Sequence, residues 1–159
     1  MARRSATGAE EPGKFVVRRA SGSDADALVR IDSVAAGGDE GRRTNIGRWC
    51  GQGLAIMAED ASGPLGYCVV EYTFFEQGFV TMLMVAPAVR GRGVGGRLLA
   101  EAVTSCVTPK LFTSTNVSNQ LMQRLLLLRR AGWAPVHDQI GRPSLRYTGR
   151  PWSRASNAA

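Results

Sequence analysis

Residues 85–99 read VAPAVRGRGVGGRLL, which puts four glycines in the six positions 91–96, between an apolar run and a helical one. So many positions without a β-carbon constrain the chain more than any other feature. They require a strand, a tight loop and a helix start in that order, in a loop where the backbone takes positive φ or another group comes close to it. Pro87 stops the strand, since it cannot donate to a ladder. The helix that opens near Gly95 turns several unpaired backbone N–H groups and the positive end of its dipole toward the loop. Arg90, Arg92 and Arg97 add three positive charges beside it. An anion is the occupant that this arrangement suits.

The rest of the chain alternates elements. Phe15–Arg18 reads as a strand, and Ser23 with Asp24 and Asp26 starts a helix that runs to about Ala36 before Gly37-Gly38. A second short helix is expected over Arg42–Cys50, closed by Gly51-Gln52-Gly53. Leu54–Glu59, Leu65–Phe75 and Phe79–Val85 read as three antiparallel strands joined at Asp60–Pro64 and Glu76–Gly78. After the glycine loop come a helix from Gly95 to about Ser105, a strand at Lys110–Thr115, a helix from Asn119 to Ala131 and two strands at Ala134–Gln139 and Ser144–Thr148. This is one α/β domain over residues 14–150, with a flexible tail at 1–13 and another at 151–159.

Two phosphate-binding patterns are excluded. Gly91-x-Gly93-x-x-Gly96 has the spacing of a dinucleotide fingerprint, but five residues including Pro87 separate it from its strand, and the next strand region, Phe112–Asn116, carries no acid. A P-loop needs Gly-Lys-Ser/Thr, and Gly96-Arg97-Leu98 has no hydroxyl for magnesium.

A third pattern fits. Leu83-Met84-Val85-Ala86-Pro87 followed by Arg90-Gly91-Arg92-Gly93-Val94-Gly95 resembles the acetyl-CoA motif of the GNAT superfamily of N-acetyltransferases, Arg/Gln-x-x-Gly-x-Gly/Ala after a Leu-x-Val-x-Pro strand. Asn116-Val-Ser-Asn119-Gln-Leu-Met122, leading through a helix to Ala131-Gly132-Trp133, resembles the second motif of that family. The resemblance covers residues 14–148. It implies a mixed, mostly antiparallel central sheet flanked by helices, whose fourth strand bulges and splays from the fifth so that pantetheine lies in the gap. It implies a cofactor site made by Leu83, Met84, Val85, Arg90, Gly91, Arg92, Gly93, Val94, Gly95, Gly96 and Asn119, with Leu83 and Val85 offering backbone groups to the pantetheine amides. The chemistry it implies is direct attack of a primary amine on the acetyl-CoA thioester, with no covalent enzyme intermediate and no metal.

Two positions depart from the family pattern. The tyrosine that often acts as general acid is replaced by Leu128, or by Leu126 if one counts forward from Asn119. The glutamate two residues before the leucine of Leu-x-Val is Thr81. A base must then come from elsewhere or from a water chain, and Glu71 in the neighbouring strand is the candidate, with burial as a means of raising its pKa. Glu76, the single histidine His137, and Tyr72, Phe74 and Phe75 as walls of an acceptor pocket are weaker choices, because surface or packing roles account for them. Cys106 reads as a small buried hydrophobe. Loss of both acid and base keeps a second reading open, a non-catalytic acyl-CoA-binding regulatory module.

Composition bounds the setting. The chain has 159 residues, 44% hydrophobic and 21% charged, and no apolar run approaching a membrane span. The start shows no secretory signal. Cys50, Cys68 and Cys106 are too few and too scattered for a disulfide framework or a zinc site, so a cytoplasmic monomer or homodimer is expected. Twenty Lys/Arg against 13 Asp/Glu give a formal charge of +7, and Arg142, Arg146, Arg150 and Arg154 lie in the last nineteen residues without an acid. That basic end leaves an RNA-binding role as a third reading, behind that of a solvated tail.

Overall fold

The computed structural model describes residues 14–116, 119–128, 134–136 and 144–149. Seven strands, β1 (Val16–Arg19), β2 (Ala55–Asp60), β3 (Gly63–Phe74), β4 (Gln77–Val85), β5 (Leu111–Asn116), β6 (Ala134–Val136) and β7 (Ser144–Gly149), form one sheet in the order β1-β2-β3-β4-β5-β7-β6. Every neighbouring pair is antiparallel except β4–β5. The helices are α1 (Ala25–Ile31), α2 (Ser33–Ala36), α3 (Glu40–Gly51), α4 (Val94–Ser105) and α5 (Gln120–Leu128). The mixed, mostly antiparallel sheet flanked by helices is the architecture expected from the sequence.

Strand alternation sorts the sheet's side chains into two cores. On one face Ile56, Ala58, Leu65, Cys68, Val70 and Val80 pack under α4 through Val94, Leu98, Leu99 and Ala102. On the other Ala55, Met57, Tyr67 and Val69 pack against Leu28, Ala35, Ile46 and Trp49 of α1, α2 and α3. Burial in the first core pushes the Cys68 thiol up to about 12. At the edge Arg18 grips Asp24 with two hydrogen bonds of 2.9 Å and reaches Glu59 at 2.6 Å. These bonds hold the Asp24 carboxyl well below the usual carboxylate range.

The single helix expected from Ser23 to Ala36 is broken at Asp32, which takes an extended conformation. Its Oδ1 accepts the Val34 and Ala35 N–H groups, and its Oδ2 accepts the Tyr67 hydroxyl at 2.6 Å. A buried carboxylate needs those partners, and a continuous helix could not supply them. The turn between β3 and β4 lies at Phe75-Glu76, earlier than the glycine at 78 suggested, and both residues have positive φ, 49° and 58°. The last two strands expected are present as β6 and β7, the first seen over Ala134–Val136.

Candidate active site

The β4–β5 pairing is short. Only Gly78, Val80 and Phe79 between them align with Leu111, Thr113 and Phe112. Beyond Val80 the two strands part. The cause is visible in the other ladder of β4, where Val70 pairs with Val80 and Val69 with Met82. Thr81 is therefore an extra residue in β4, a bulge that bends the strand. From Thr81 to Val85 the edge of β4 lies open over roughly 13 Å at the usual strand rise.

The glycine loop closes the far end of that edge. Gly91 and Gly93 have φ of 83° and 81°, a region that disfavours side chains, and a β-carbon at either would meet nothing within 4 Å. Gly93 is the N-cap of α4 and brings no capping side chain. The first-turn N–H groups of α4 are thus left to an incoming acceptor. A cavity of about 550 Å³ lies between this loop, β4 and α5. Leu83, Met84 and Val85 form its β4 wall, Arg90, Gly91, Gly93, Val94, Gly95 and Gly96 its loop and helix wall, and Asn119 lies at the start of α5. Asn119 also caps α5, its Oδ1 accepting the Met122 N–H at 3.1 Å.

Two expectations are revised here. Arg92 does not line the cavity; its guanidinium lies 3.6 Å from Asp60 at the end of β2. Arg97 sits over the Phe15 ring at 5.9 Å and borders a separate hollow with Lys14 and Glu59. Both arginines were assigned by closeness in sequence, whereas their partners belong to β2 and to the residue before β1. Gly95 is helical, and a β-carbon there would meet Leu125 at 3.3 Å and Val85 at 3.4 Å. Its small size serves the packing of α4 against β4 and α5. Arg90 does face the cavity, with its Nε 3.3 Å from the Val85 carbonyl.

Glu71 lies on the α3 face of the sheet. Thr81 Oγ1 donates to its Oε2 at 2.7 Å, and Arg48 of α3 donates to its Oε1 at 3.0 Å. The buried Trp49 indole N–H faces the same carboxylate without closing a hydrogen bond of its own. Partial burial of the carboxyl pushes its pKa up, but the Thr81 and Arg48 donors, with the nearby Trp49 N–H, outweigh it and the net shift is downward. The upward shift expected from burial is thus reversed, because the sequence did not reveal Arg48 as a partner.

Tyr72, Phe74 and Phe75 do not line the cavity beside the glycine loop. Tyr72 packs into the α4 core and accepts the Val107 N–H. Phe74 stacks with Phe75, Phe79 and Phe112 at the closed end of the sheet, where β4 and β5 still pair. Glu76 occupies the hairpin tip there. Cys106 is half-buried near Thr108. His137, the Gly132-Trp133 pair, and Arg142, Arg150 and Arg154 lie outside the described residues.

A sheet parted beside a helix that starts on a glycine cap defines an α/β domain with an open strand edge leading to unpaired backbone N–H groups. Comparison with known proteins specifies the class. An acetyltransferase (GNAT) domain description matches residues 51–135. Among solved structures, a GNAT-family acetyltransferase from Bacillus cereus ATCC 10987 is 26% identical, with a TM-score of 0.76 over 86% of this chain and 97% of its own. Diaminobutyrate acetyltransferase EctA from Paenibacillus lautus, in complex with L-2,4-diaminobutyric acid and coenzyme A, is 14% identical with a TM-score of 0.69, over 87% of this chain and 95% of its own. YncA from Salmonella typhimurium, with its cofactor acetyl-CoA, is 18% identical with a TM-score of 0.64, over 92% of this chain and 99% of its own. No curated protein matches in sequence. The chain belongs to the GNAT acetyltransferase family and is an acyltransferase of that family. Among the described residues no helix is long and apolar enough to cross a membrane.

Proposed function

We propose that this protein transfers the acetyl group of acetyl-CoA to a primary amine by direct attack. The observation that carries the reading is the open edge of β4, which begins at the Thr81 bulge and ends at the free N–H groups of α4. The glycine loop and Arg90 suit the pyrophosphate: N–H groups, a helix N-terminus and a guanidinium converge, and positive φ at Gly91 and Gly93 keeps side chains out of the cradle. The backbone groups of Leu83 and Val85 suit the amides of the pantetheine arm, which would lie on β4 as an added strand. For Val85 this requires the Arg90 side chain to leave the carbonyl it now touches.

When bound, acetyl-CoA supplies an activated thioester carbonyl. The chain's part is to hold it beside the amine, to donate backbone N–H groups toward the developing oxyanion, and to receive the proton that the amine must lose. Glu71 is the base in this reading. Its carboxylate is brought to Thr81, the position where the family pattern carries its own glutamate, so a carboxylate from β3 substitutes for one missing from β4. Leu126 and Leu128 of α5 cannot donate a proton, and a thiolate of ordinary pKa leaves without one.

The test is release of free thiol from acetyl-CoA across a panel of amines, small, antibiotic, peptidyl and aminoacyl. Amine-dependent thiol release is expected. Acetyl-CoA binding without turnover on any amine would favour the non-catalytic module instead.

A further inference from the structure

We infer that Thr81 is a catalytic residue, whose hydroxyl passes the acceptor's proton to Glu71. The inference rests on the acetyl-transfer reading above and adds the path of the proton.

Position comes first. Counting back from the anion cradle beyond Val85, the open edge of β4 ends at Thr81, since Val80 is already paired with Thr113. A cofactor arm laid along that edge therefore brings its thioester to the bulge. Thr81 is also on the right face. Glu71 shares the α3 side of the sheet with Tyr67 and Val69, and the 2.7 Å bond from Thr81 Oγ1 places the threonine hydroxyl there too. The cofactor cavity lies beside α4 and α5, and Thr81 is exposed at the bulge, so an amine has a free approach from the α3 side, over Thr81.

The hydrogen-bond directions then fit a relay. The Thr81 hydroxyl has one proton, already directed to Glu71 Oε2, and its oxygen keeps lone pairs for a second proton. As the amine nitrogen bonds to the acetyl carbon and the carbon–sulfur bond breaks, the electron pair leaves with the thiolate. The amine's proton goes to Thr81 Oγ1, and the threonine's own proton goes to Glu71. Each atom is accounted for, and no further reactant is needed. Arg48, 3.0 Å from the other carboxylate oxygen, is the positioning residue: it fixes the carboxylate so that Oε2 faces Thr81. Arg48 is the charged partner facing Glu71 from α3, and the Trp49 indole N–H lies beside the carboxylate without bonding it.

The experiment compares Thr81→Val, Thr81→Ser and Glu71→Gln in the full chain. Valine keeps the β-branched shape of threonine, so the bulge stays filled. Thr81→Val is expected to lower turnover by about 10²-fold, with acetyl-CoA affinity by calorimetry within about twofold, and Thr81→Ser to restore it. Glu71→Gln is expected to lose at least as much, and the double variant to be no worse than Glu71→Gln alone, as for residues that act as one unit. A carboxyl NMR titration supplies a readout apart from activity: the pKa of Glu71 rises in Thr81→Val and in Arg48→Gln, and in Arg48→Gln the acidic limb of the pH–rate profile moves to higher pH with it. Near-wild-type turnover in Thr81→Val, or a loss that serine does not rescue, overturns the relay while acetyl transfer stands. A wild-type chain that binds acetyl-CoA yet acetylates no amine overturns the relay and the reading together.

Discussion

Gly66 is the residue behind the cofactor edge, and replacing it tests how tightly that edge is held. It lies in β3 opposite Val85, and a β-carbon there would stand 2.5 Å from the Met84 carbonyl oxygen and 3.1 Å from the Val85 α-carbon. Both contacts are with backbone, which cannot rotate away as a side chain could. In Gly66→Ala the C-terminal end of β4 must shift by most of an ångström to reach ordinary contact. Overpacking of this kind costs about 1–3 kcal/mol. In a domain of this size each kcal/mol lowers Tm by about 2–4 °C, giving a fall of roughly 2–12 °C by calorimetry or circular dichroism. The shift also moves Met84 and Val85, two residues of the cavity wall, so acetyl-CoA affinity should fall in the same variant. Gly22→Ala is the control, because nothing lies within 4 Å of its added carbon and its φ is unstrained. If Gly66→Ala matches Gly22→Ala in both Tm and affinity, β3 is not what sets the position of the β4 edge.

Three further outcomes follow from particular residues. Gly93→Asp puts a side chain at φ 81° and a negative charge in the anion cradle, so acetyl-CoA binding should vanish by calorimetry while the fold is kept; Gly95→Ala, pressing only on the Leu125 and Val85 side chains, should lose much less. Replacing Phe75-Glu76 with Asn-Gly relieves two positive-φ residues in a two-residue hairpin and should stabilise by about 1 kcal/mol or more, read by denaturant titration. Asp24 has a folded pKa below its unfolded value, so its contribution is fully present above about pH 4 and is lost as pH falls through the acid range. Acid unfolding curves should accordingly be less steep in Asp24→Asn, and an unchanged slope would show that the Arg18 grip does not contribute.

The cofactor half of the candidate site was legible because it is local. Leu83 to Gly96 are consecutive, and a strand, a loop without β-carbons and a helix start can be read in order along the chain. The glycines were readable as a group but not individually: only backbone angles separate Gly93, which turns the chain, from Gly95, which lets α4 approach Leu125. The catalytic half was legible only in part. Glu71 stood out as a carboxylate in an apolar strand, but its pKa direction depends on Arg48, 23 residues away, and on Thr81 across a bulge that no periodicity announces. The break at Asp32 was hidden for the same reason, since the group that demands it, the Tyr67 hydroxyl, is 35 residues distant. Charged side chains were misplaced wherever sequence neighbours stood in for spatial ones, as with Arg92 and Asp60.

Thr81 and Met82 both face α3, whereas Val80 and Leu83 both pack under α4. Deleting Thr81 would therefore leave every other side chain of β4 on its present side and join the two halves of the β3–β4 ladder, Val70 with Val80 and Val69 with Met82, without a slip. What would change is the outline of the strand: a straight β4 would offer β5 a continuous border on which to keep pairing past Thr113. The opening on which the proposed chemistry depends is in this sense one amino acid long, an insertion that the fold could lose without repacking either core, and with it the space for the proposed cofactor arm.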